Sequence, residues 1–372
     1  MAVRVARALP AGVPPSKVGA TQALDRPNVT SPAATAASPR PPADVAPAAT
    51  VTAPEPSTEN VGRRFFTWRT GASFLVGLAI LAWVVRSSAI DPADVLQRLR
   101  NVDGTWYLLA IASYLTTFPT RGLRWQRLLA DNGARLPLRP LTEVIFLSWF
   151  VNSVLPGKVG DVYRAYLLRR EYGLSAGRTI GTVLAERIAD VVMLVTVLGI
   201  SGAIVLGNRV DPRITRILEF GWAGVACLLL GLLLMYRYGH AIARYFPARV
   251  REVYERFATG TFASFRNPLL LAFFTAVAWA SEAGRLYCVV HAIGVEITPI
   301  EALFTVAAIS LALIVPTPGG LGGVEAAFLG VLPLFGVAAP VAVVVAFLDR
   351  LISYYGIIVT GLPAFVLSRR GR

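Results

Sequence analysis

Long apolar segments constrain this chain more than any other feature of its sequence. Between about residue 70 and residue 367, apolar stretches alternate with short runs that carry most of the arginines. A helix needs about 20 apolar residues to cross the hydrocarbon core of a bilayer, and several stretches reach that length. Only 16% of the residues are charged, against about 25% in soluble domains. The mean hydropathy is +0.58. The sequence therefore predicts an all-α, polytopic membrane protein.

Six segments are predicted to cross the membrane completely. They cover residues 70–86, 105–120, 177–207, 220–235, 268–293 and 341–367. The net charge of +14 comes mostly from arginines between these spans, as in cytoplasmic loops that face anionic lipid. This distribution predicts a cell-membrane protein with both termini in the cytoplasm, and it argues against a nucleic-acid partner. Residues 1–62, rich in Ala and Pro, are predicted to be a disordered tail before an integral membrane domain over 63–372.

Two apolar segments stop short of a full span and end in a helix-breaking turn. The first leads into Leu155-Pro-Gly-Lys-Val-Gly-Asp161, and the second leads into Pro316-Thr-Pro-Gly-Gly-Leu-Gly-Gly-Val-Glu325. Backbone that is not helical is tolerated at membrane depth only beside protein or a water-filled cavity. We therefore predict a re-entrant helical hairpin at each turn. The alternative is that both segments cross with a Pro-Gly kink, which gives eight spans.

The two turns occupy matching positions in two similar halves of the chain, about residues 105–207 and 268–367. Interrupted helices at matching positions of inverted repeats mark the binding site in many transporters. With six crossings, the first hairpin enters from the cytoplasm and the second enters from the opposite face. The halves are therefore predicted to form an inverted repeat of the transporter type.

Charged residues recur in the same order in both halves. A carboxylate follows each turn, and an acid–arginine pair, Glu186-Arg187 or Asp349-Arg350, lies on the next long helix. A charge at the centre of a membrane helix costs about 2.5 to 3.5 kcal/mol on insertion scales, so a charge that is kept there is functional by default. The alternative is a set of buried ion pairs that only fix the packing of the helices.

We predict that the broken turns and these charges line a polar groove that binds a charged headgroup. The predicted substrate-binding residues are Asn152, Pro156, Gly157, Lys158, Gly160, Asp161, Arg164, Glu186, Arg187, Asp190, Pro318, Gly319, Gly320, Gly323, Glu325, Asp349 and Arg350. Four further charges on neighbouring helices are weaker candidates: Arg121, Arg124, Glu282 and Arg285. In this hypothesis Lys158, Arg187 and Arg350 receive a phosphate, and the carboxylates hold the arginines. Backbone amides of turn glycines are expected to add donors: Gly157, Gly160, Gly320 and Gly323.

Together with Arg121-Gly-Leu-Arg-Trp125 and Glu186-Arg187-Ile-Ala-Asp190, the two turns resemble the integral membrane region of lysylphosphatidylglycerol synthases, a flippase-like family of prokaryotic proteins. The resemblance covers roughly residues 65–368. It implies movement of an anionic or zwitterionic phospholipid, or of a lipid-linked headgroup, between leaflets, and it leaves room for a separate lipid-modifying enzyme as a partner. Full synthases add a soluble aminoacyl-transfer domain, which is not expected here because the chain ends at Arg372.

The predicted function is that of a lipid flippase or transporter without enzymatic activity. The sequence contains no Walker A motif, no His-based phosphatase motif and no paired-Asp nucleotide-sugar motif. Its two cysteines and two histidines lack the spacing of metal ligands, so neither a metal nor a cofactor is expected. Three alternatives stay open: an integral-membrane enzyme that acts on a lipid carrier, a non-transporting scaffold, and a carrier of ions or small solutes.

Overall fold

The fold is known from a computed structural model that describes most of the chain after residue 91. The described ranges are residues 92–155, 157–207, 212–313 and 317–367, with two single helical residues, Leu75 and Ala79. Within these ranges the secondary structure is helical, without a strand, which confirms the predicted all-α class. The tail predicted over 1–62 lies outside the described residues, as does the span predicted over 70–86 apart from the two single residues.

Twelve α-helices follow one another in the described ranges. They are α1 (Pro92–Arg100), α2 (Gly104–Asp131), α3 (Leu138–Val154), α4 (Val159–Tyr172), α5 (Ala176–Leu206), α6 (Pro212–Ala243), α7 (Ala248–Ala263), α8 (Pro268–Ala292), α9 (Pro299–Ala312), α10 (Gly323–Val331), α11 (Ala339–Arg350) and α12 (Gly356–Leu367). Short 3₁₀ turns, Pro318–Gly320 and Leu332–Phe335, flank α10. A π-helical turn, Leu351–Tyr355, joins α11 to α12.

Four described helical segments are long and apolar enough to cross a membrane. They are Ala176–Leu206, Leu218–Ala243, Pro268–Ala292 and Ala339–Leu367. These segments confirm four of the six predicted spans. The span predicted over 220–235 is too short. Helix α6 continues to Ala243, and the next proline, Pro247, comes only after the helix has ended.

Helix α2 runs well past the span predicted over 105–120. That prediction ended the span near Pro119, but Pro119 lies inside an unbroken helix of 28 residues, which is about 42 Å long at a rise of about 1.5 Å per residue. Proline is tolerated in membrane helices where neighbouring groups satisfy the freed backbone. The continuation carries Arg121 and Arg124 into the interior of the helix bundle, where carboxylates on other helices receive them.

The two segments predicted to be re-entrant form helix–turn–helix units. Helix α3 has 17 residues and α9 has 14, so they are about 26 and 21 Å long at about 1.5 Å per residue. Both are shorter than the hydrocarbon core, which is about 30 Å thick. After each turn the chain folds back, so that α4 packs on α3 and α10 packs on α9. These lengths and contacts fit hairpins better than complete crossings.

Helices α2 and α8, which begin the two halves, pack along each other in opposite directions. The backbone N–H of Asp103, before α2, donates to the carbonyl of Ala292, at the end of α8, over 2.7 Å. At the other end, Nδ2 of Asn267, before α8, donates to Oδ1 of Asp131 over 3.4 Å. The remaining contacts are reciprocal, since α5 packs on α9 and α12 packs on α3. The two halves are therefore related as inverted repeats.

Small residues allow α7 to lie directly against α5. At Gly181 a side-chain carbon would overlap backbone atoms of Phe257 and Thr261, and at Gly260 it would overlap the backbone of Arg178. Backbones this close leave no room for a larger residue at either glycine. This contact fixes the part of α5 that carries the acid–arginine pair of the first repeat.

Replacing Gly181 by alanine should therefore destabilise the protein. Overpacking a close contact costs about 1–3 kcal/mol, because backbone rather than a flexible side chain must move. Thermal unfolding of the detergent-solubilised protein, followed by tryptophan fluorescence, measures the change. Gly224→Ala in α6 is the matched control, since no atom of the described residues lies within 4 Å of its added carbon. Equal unfolding temperatures for the two variants would contradict the close packing of α5 on α7.

Candidate functional site

A cavity of about 650 Å³ lies between the two repeats, and both broken turns reach it. The first turn contributes Gly157 and Lys158, and the second contributes Gly319 and Gly320. Twelve of the predicted site residues line this cavity: Arg121, Asn152, Gly157, Lys158, Arg187, Asp190, Glu282, Arg285, Gly319, Gly320, Asp349 and Arg350. Residues that are far apart in the sequence are thus brought to one place, as the pairing of the two turns predicts.

Other predicted site residues lie behind the cavity wall. Seven described ones belong to this group: Arg124, Gly160, Asp161, Arg164, Glu186, Gly323 and Glu325. These residues do not line the cavity. Pro156 lies outside the described residues, and only the backbone of Pro318 is described.

In the first repeat, Arg187 joins the broken turn to the long helix α5. Its Nε and Nη2 donate to the two carboxylate oxygens of Asp161, each over 2.8 Å, and its Nη1 lies 3.4 Å from Asp190. A guanidinium that binds a carboxylate through two parallel hydrogen bonds is held in one orientation. Arg187 therefore points toward the hairpin.

Glu186 turns the other way and anchors two buried arginines. Its Oε2 accepts a hydrogen bond of 2.8 Å from Nη1 of Arg164, and its Oε1 lies 3.4 Å from Nε of Arg124. Arg124 also donates to Asp190 over 2.7 Å and to Oγ1 of Thr275 on α8 over 3.0 Å. Each of these arginines is almost fully buried, so the carboxylates are needed to offset the cost of removing their charges from water.

The second repeat uses the same arrangement. Nε of Arg350 donates to Oε1 of Glu325 over 2.8 Å, and its Nη1 donates to the carbonyl of Gly319 in the broken turn over 2.8 Å. The other oxygen of Glu325 accepts the backbone N–H of Gly322 over 2.7 Å and so caps the start of α10. One arginine on the long helix thus holds the turn and the helix that follows it.

The acid–arginine pairs of the two repeats make similar contacts around the cavity. Asp349 is hydrogen-bonded to Arg285 on α8, as Glu186 pairs with Arg124 on α2. In each repeat, the acid of the acid–arginine pair binds an arginine of the first helix, and the arginine of the pair binds the carboxylate after the turn. An internal repeat of this kind requires that both halves make the same pattern of ion pairs.

The correspondence fails at two charged positions. Counted from the carboxylate after each turn, Arg164 of the first repeat corresponds to Phe328 of the second. Counted from the acid–arginine pairs, Asp190 corresponds to Ser353. Phe328 is fully buried and belongs to the apolar core, while Oγ of Ser353 donates to Asp349 over 3.3 Å. The first repeat therefore holds the denser network of charges.

Lys158 is the least constrained cation of the cavity wall. It is exposed, and it makes no ion pair with any residue of the described ranges. Its φ is 55°, so it is the one non-glycine residue with a left-handed backbone in the described part of the chain. A bulky residue held in this conformation costs about 1–3 kcal/mol, and such outliers cluster at functional sites.

The predicted role of the turn amides needs correction at two glycines. The N–H of Gly160 is taken by Oδ1 of Asn152 over 2.8 Å, and the N–H of Gly320 is taken by the carbonyl of Thr317 over 3.1 Å. Short turns satisfy their own amides locally, which the sequence pattern does not reveal. Asn152 is therefore a residue that shapes the first turn as well as part of the wall.

Aromatic side chains of the wall were not predicted from the sequence. The guanidinium carbon of Arg121 lies 5.0 Å from the ring centre of Trp149, and that of Arg350 lies 4.9 Å from Tyr354. Tyr114 packs beneath Arg285 at 5.4 Å and donates its hydroxyl to the carbonyl of Ser353 in the π-helical turn. Aromatic rings attract cations through their faces, so they stabilise arginines at low solvent exposure. The spacing of Tyr354 four residues after Arg350 is the signal that could have indicated it.

The cavity wall carries more positive than negative charge. Five of its side chains are cationic: Arg121, Lys158, Arg187, Arg285 and Arg350. Three are acidic: Asp190, Glu282 and Asp349. Five cations against three acids give a formal net charge of +2. Nη2 of Arg350 is buried and has no hydrogen-bond partner among the described residues. An anion in the cavity would offset the positive charge of the wall.

Replacing Glu186 by glutamine should strongly destabilise the protein, because Arg124 and Arg164 would lose the charge that pairs with them. Removing one partner of a buried ion pair costs about 3–5 kcal/mol. Chemical denaturation of the purified protein in detergent, followed by circular dichroism, measures this cost. Glu252→Gln provides the control, since the pair of Glu252 with Arg256 on α7 is exposed and worth about 0–1 kcal/mol. A loss of unfolding free energy no larger than that of the control would contradict the pairing of Glu186 with Arg124 and Arg164.

Comparison with known proteins finds relatives among archaeal membrane proteins. A UPF0104 membrane protein of Methanocaldococcus jannaschii is 29% identical over 223 residues, which cover 59% of this chain and 95% of the relative. A UPF0104 membrane protein of Methanothermobacter thermautotrophicus is 25% identical over 324 residues, which cover 80% of this chain and 91% of the relative.

A third relative corrects the prediction that the protein lacks enzymatic activity. Glycosyltransferase AglD of Haloferax volcanii is 26% identical over 333 residues, which cover 78% of this chain and 53% of AglD. The chain therefore spans about half the length of AglD. The absence of familiar catalytic motifs was a poor guide, because a relative of this region is named as a transferase.

The family model described as the lysylphosphatidylglycerol synthase TM region matches residues 72–361. The match includes both broken turns, both acid–arginine pairs and the whole cavity wall, and it confirms the resemblance carried by those motifs. The chain therefore belongs to the family of the lysylphosphatidylglycerol synthase transmembrane region.

Proposed function

We propose that this protein binds the phosphate-bearing headgroup of a membrane lipid carrier in the cavity between its repeats and takes part in transferring a group to or from that lipid. The observation that carries the proposal is the excess of cationic over acidic side chains on the wall. Arginine and lysine are the side chains that proteins use for phosphate, and phosphate is the common anion of membrane lipids. Inside a membrane protein, such a wall attracts an anion more strongly than it would in water.

The relative named Glycosyltransferase AglD supports the enzymatic part of this proposal. Transfer of a sugar at a membrane requires that the phosphate of the lipid be fixed in position beside the reacting group. A rigid set of charges and hydrogen-bond donors lowers a reaction barrier by orienting reactants and by stabilising the charge that develops. The paired arginines of the wall have this rigidity, because carboxylates on neighbouring helices hold them.

A second function, movement of the headgroup between leaflets, is favoured by a separate observation. The two repeats run in opposite directions and bring their broken turns to one cavity, which is the plan of many secondary transporters. In such proteins one repeat rocks against the other around a fixed site. The ligand would be an anionic or zwitterionic phospholipid or a lipid-linked headgroup, with a separate lipid-modifying enzyme as a partner.

We also propose a location in the cell membrane with both termini in the cytoplasm. The support is the distribution of arginines, which are concentrated before the first span, between spans on one side and at the end of the chain.

Replacing Lys158 by glutamine should weaken binding of a lipid phosphate about tenfold, the loss expected for one charge-assisted hydrogen bond. Because Lys158 makes no ion pair with the described residues, the change should leave the fold intact. Binding of a polyisoprenyl phosphate to the protein in nanodiscs, with the uncharged polyisoprenol as reference ligand, measures the effect. Arg139→Gln is the control, since the side chain of Arg139 is 92% exposed and lies outside the cavity.

Equal binding of the phosphate and the alcohol by the unchanged protein would refute the headgroup site. The same preparation tests the enzymatic part when it is incubated with a radiolabelled polyisoprenyl phosphate and nucleotide sugars. A labelled glycosylated lipid is expected, and it should decrease in the Lys158 variant but not in the Arg139 variant.

An engineered disulfide between α2 and α8 would test movement of the headgroup independently of its binding. A Cβ at Gly284 would lie 3.9 Å from Cβ of Ser113, inside the range of about 3.5–4.5 Å that a disulfide needs. In a protein with Cys227 and Cys288 replaced by alanine, Ser113→Cys combined with Gly284→Cys should therefore cross-link the repeats on oxidation. We expect oxidation to stop exposure of the headgroup to a membrane-impermeant reagent in vesicles, while binding persists. Reduction is the matched control, and equal rates before and after oxidation would exclude rocking at this interface.

A further inference from the structure

We propose that a groove between α2 and α3 holds the hydrocarbon chain of the lipid whose headgroup occupies the charged cavity, and that Phe118 and Trp149 form the partition between the two. This inference rests on the proposed function, because it assigns the second half of the same ligand. It names a lateral route from the bilayer into the protein.

The groove is apolar and open to the outside of the helix bundle. It has a volume of about 380 Å³, and it is lined by Leu115, Phe118, Pro119, Thr142, Glu143, Phe146, Leu147 and Ala364. Leu115 is 56% exposed, so the groove faces the region where lipid chains surround the protein. A hydrocarbon chain needs no hydrogen-bond partner, whereas a peptide in the same groove would bury polar backbone groups beside apolar walls.

Two contacting layers of aromatic rings separate the groove from the cavity. Phe118 and Phe146 line the groove, while Trp149 and Tyr114 line the cavity. The ring centre of Phe118 lies 5.4 Å from that of Trp149 and 5.4 Å from that of Tyr114. Rings at these distances are in contact, so a path between the two spaces would open if Phe118 and Trp149 both moved aside.

The polar end of the ligand would lie on the cavity side of these rings. Arg121 packs on the cavity side of Trp149, and its two ion pairs, with Asp190 and Glu282, are as long as 3.7 and 3.8 Å. It donates no hydrogen bond to any residue in the described part of the chain, and its Nε is buried without a partner. A phosphate at Arg121 would therefore gain donors that the protein leaves unused, with its chain leading outward past Trp149.

Pro119 makes the α2 side of the partition easier to move. It follows Phe118 directly, lines the groove, and cannot donate the backbone hydrogen bond that would tie it to the preceding turn of the helix. The backbone beside Phe118 is thus held by fewer bonds than the rest of α2. Two tests follow from filling the groove while leaving the cavity unchanged.

Tryptophan at Leu115 or at Ala364 would fill the groove without touching the charged wall. The probes are a phosphatidic acid with a photoactivatable diazirine on its acyl chain and the water-soluble glycerol 3-phosphate. We expect each substitution to reduce affinity for the phosphatidic acid about tenfold while glycerol 3-phosphate binds as before. In the unchanged protein the diazirine should label peptides of α2, α3 and α12, and both substitutions should abolish this labelling.

Leu108→Trp is the matched control. It lies two helical turns before Leu115 on the same face of α2, is 67% exposed, and does not line the groove. Normal phosphatidic acid binding by both filled variants, or labelling confined to other helices, would overturn the groove assignment alone. Failure of the unchanged protein to bind either probe would overturn the headgroup site and the groove assignment together.

Discussion

The pairing of buried arginines with carboxylates is the interaction on which this structure depends. Seven cations and six acids of the described helices surround the cavity or lie directly behind its wall. The buried ones could not remain inside a membrane protein alone, because an unpaired charge in a low-dielectric interior is costly. Pairing across helices removes most of that cost and at the same time ties the broken turns to the long helices. The same contacts therefore hold the fold together and build the site.

The inverted repeat explains why two distant turns meet at one cavity. Because α2 and α8 run in opposite directions, equivalent turns approach from opposite ends and face each other. The repeats have since diverged where Phe328 and Ser353 stand in place of Arg164 and Asp190. The first repeat has the denser network of charges, but buried arginine nitrogens that have no hydrogen-bond partner among the described residues occur in both repeats. They belong to Arg121, Arg124 and Arg164 of the first repeat and to Arg285 and Arg350 of the second.

Sequence patterns predicted the elements that obey local rules. Proline and glycine mark both turns, and the equal spacing of the acid–arginine pairs indicated the repeat, since backbone conformation and insertion cost act on each segment by itself. The predicted end of α2 near Pro119 was wrong. Proline is tolerated there because of partners on other helices, which the local sequence does not reveal. Three features could not be predicted because they depend on contacts between segments that no local pattern contains. They are the aromatic side chains of the wall, the hydrogen bond from the Gly160 amide to Asn152, and the partition at Phe118.

The surplus of positive charge links occupancy of the site to the arrangement of the two repeats. The groups behind the wall add two cations and three acids, so the whole set of charges keeps a surplus of one cation. Lys158, which makes no ion pair with the described residues, accounts for this surplus. Lys158 belongs to the first turn, and Arg350 holds the second turn through Gly319 and Glu325. An anion bound by both would join the turns across the cavity through charge-assisted hydrogen bonds. Its departure would leave like charges facing each other in a medium that screens them weakly, which favours separation of the turns. In the proposed function, a bound phosphate would therefore favour the arrangement in which the two turns lie close together.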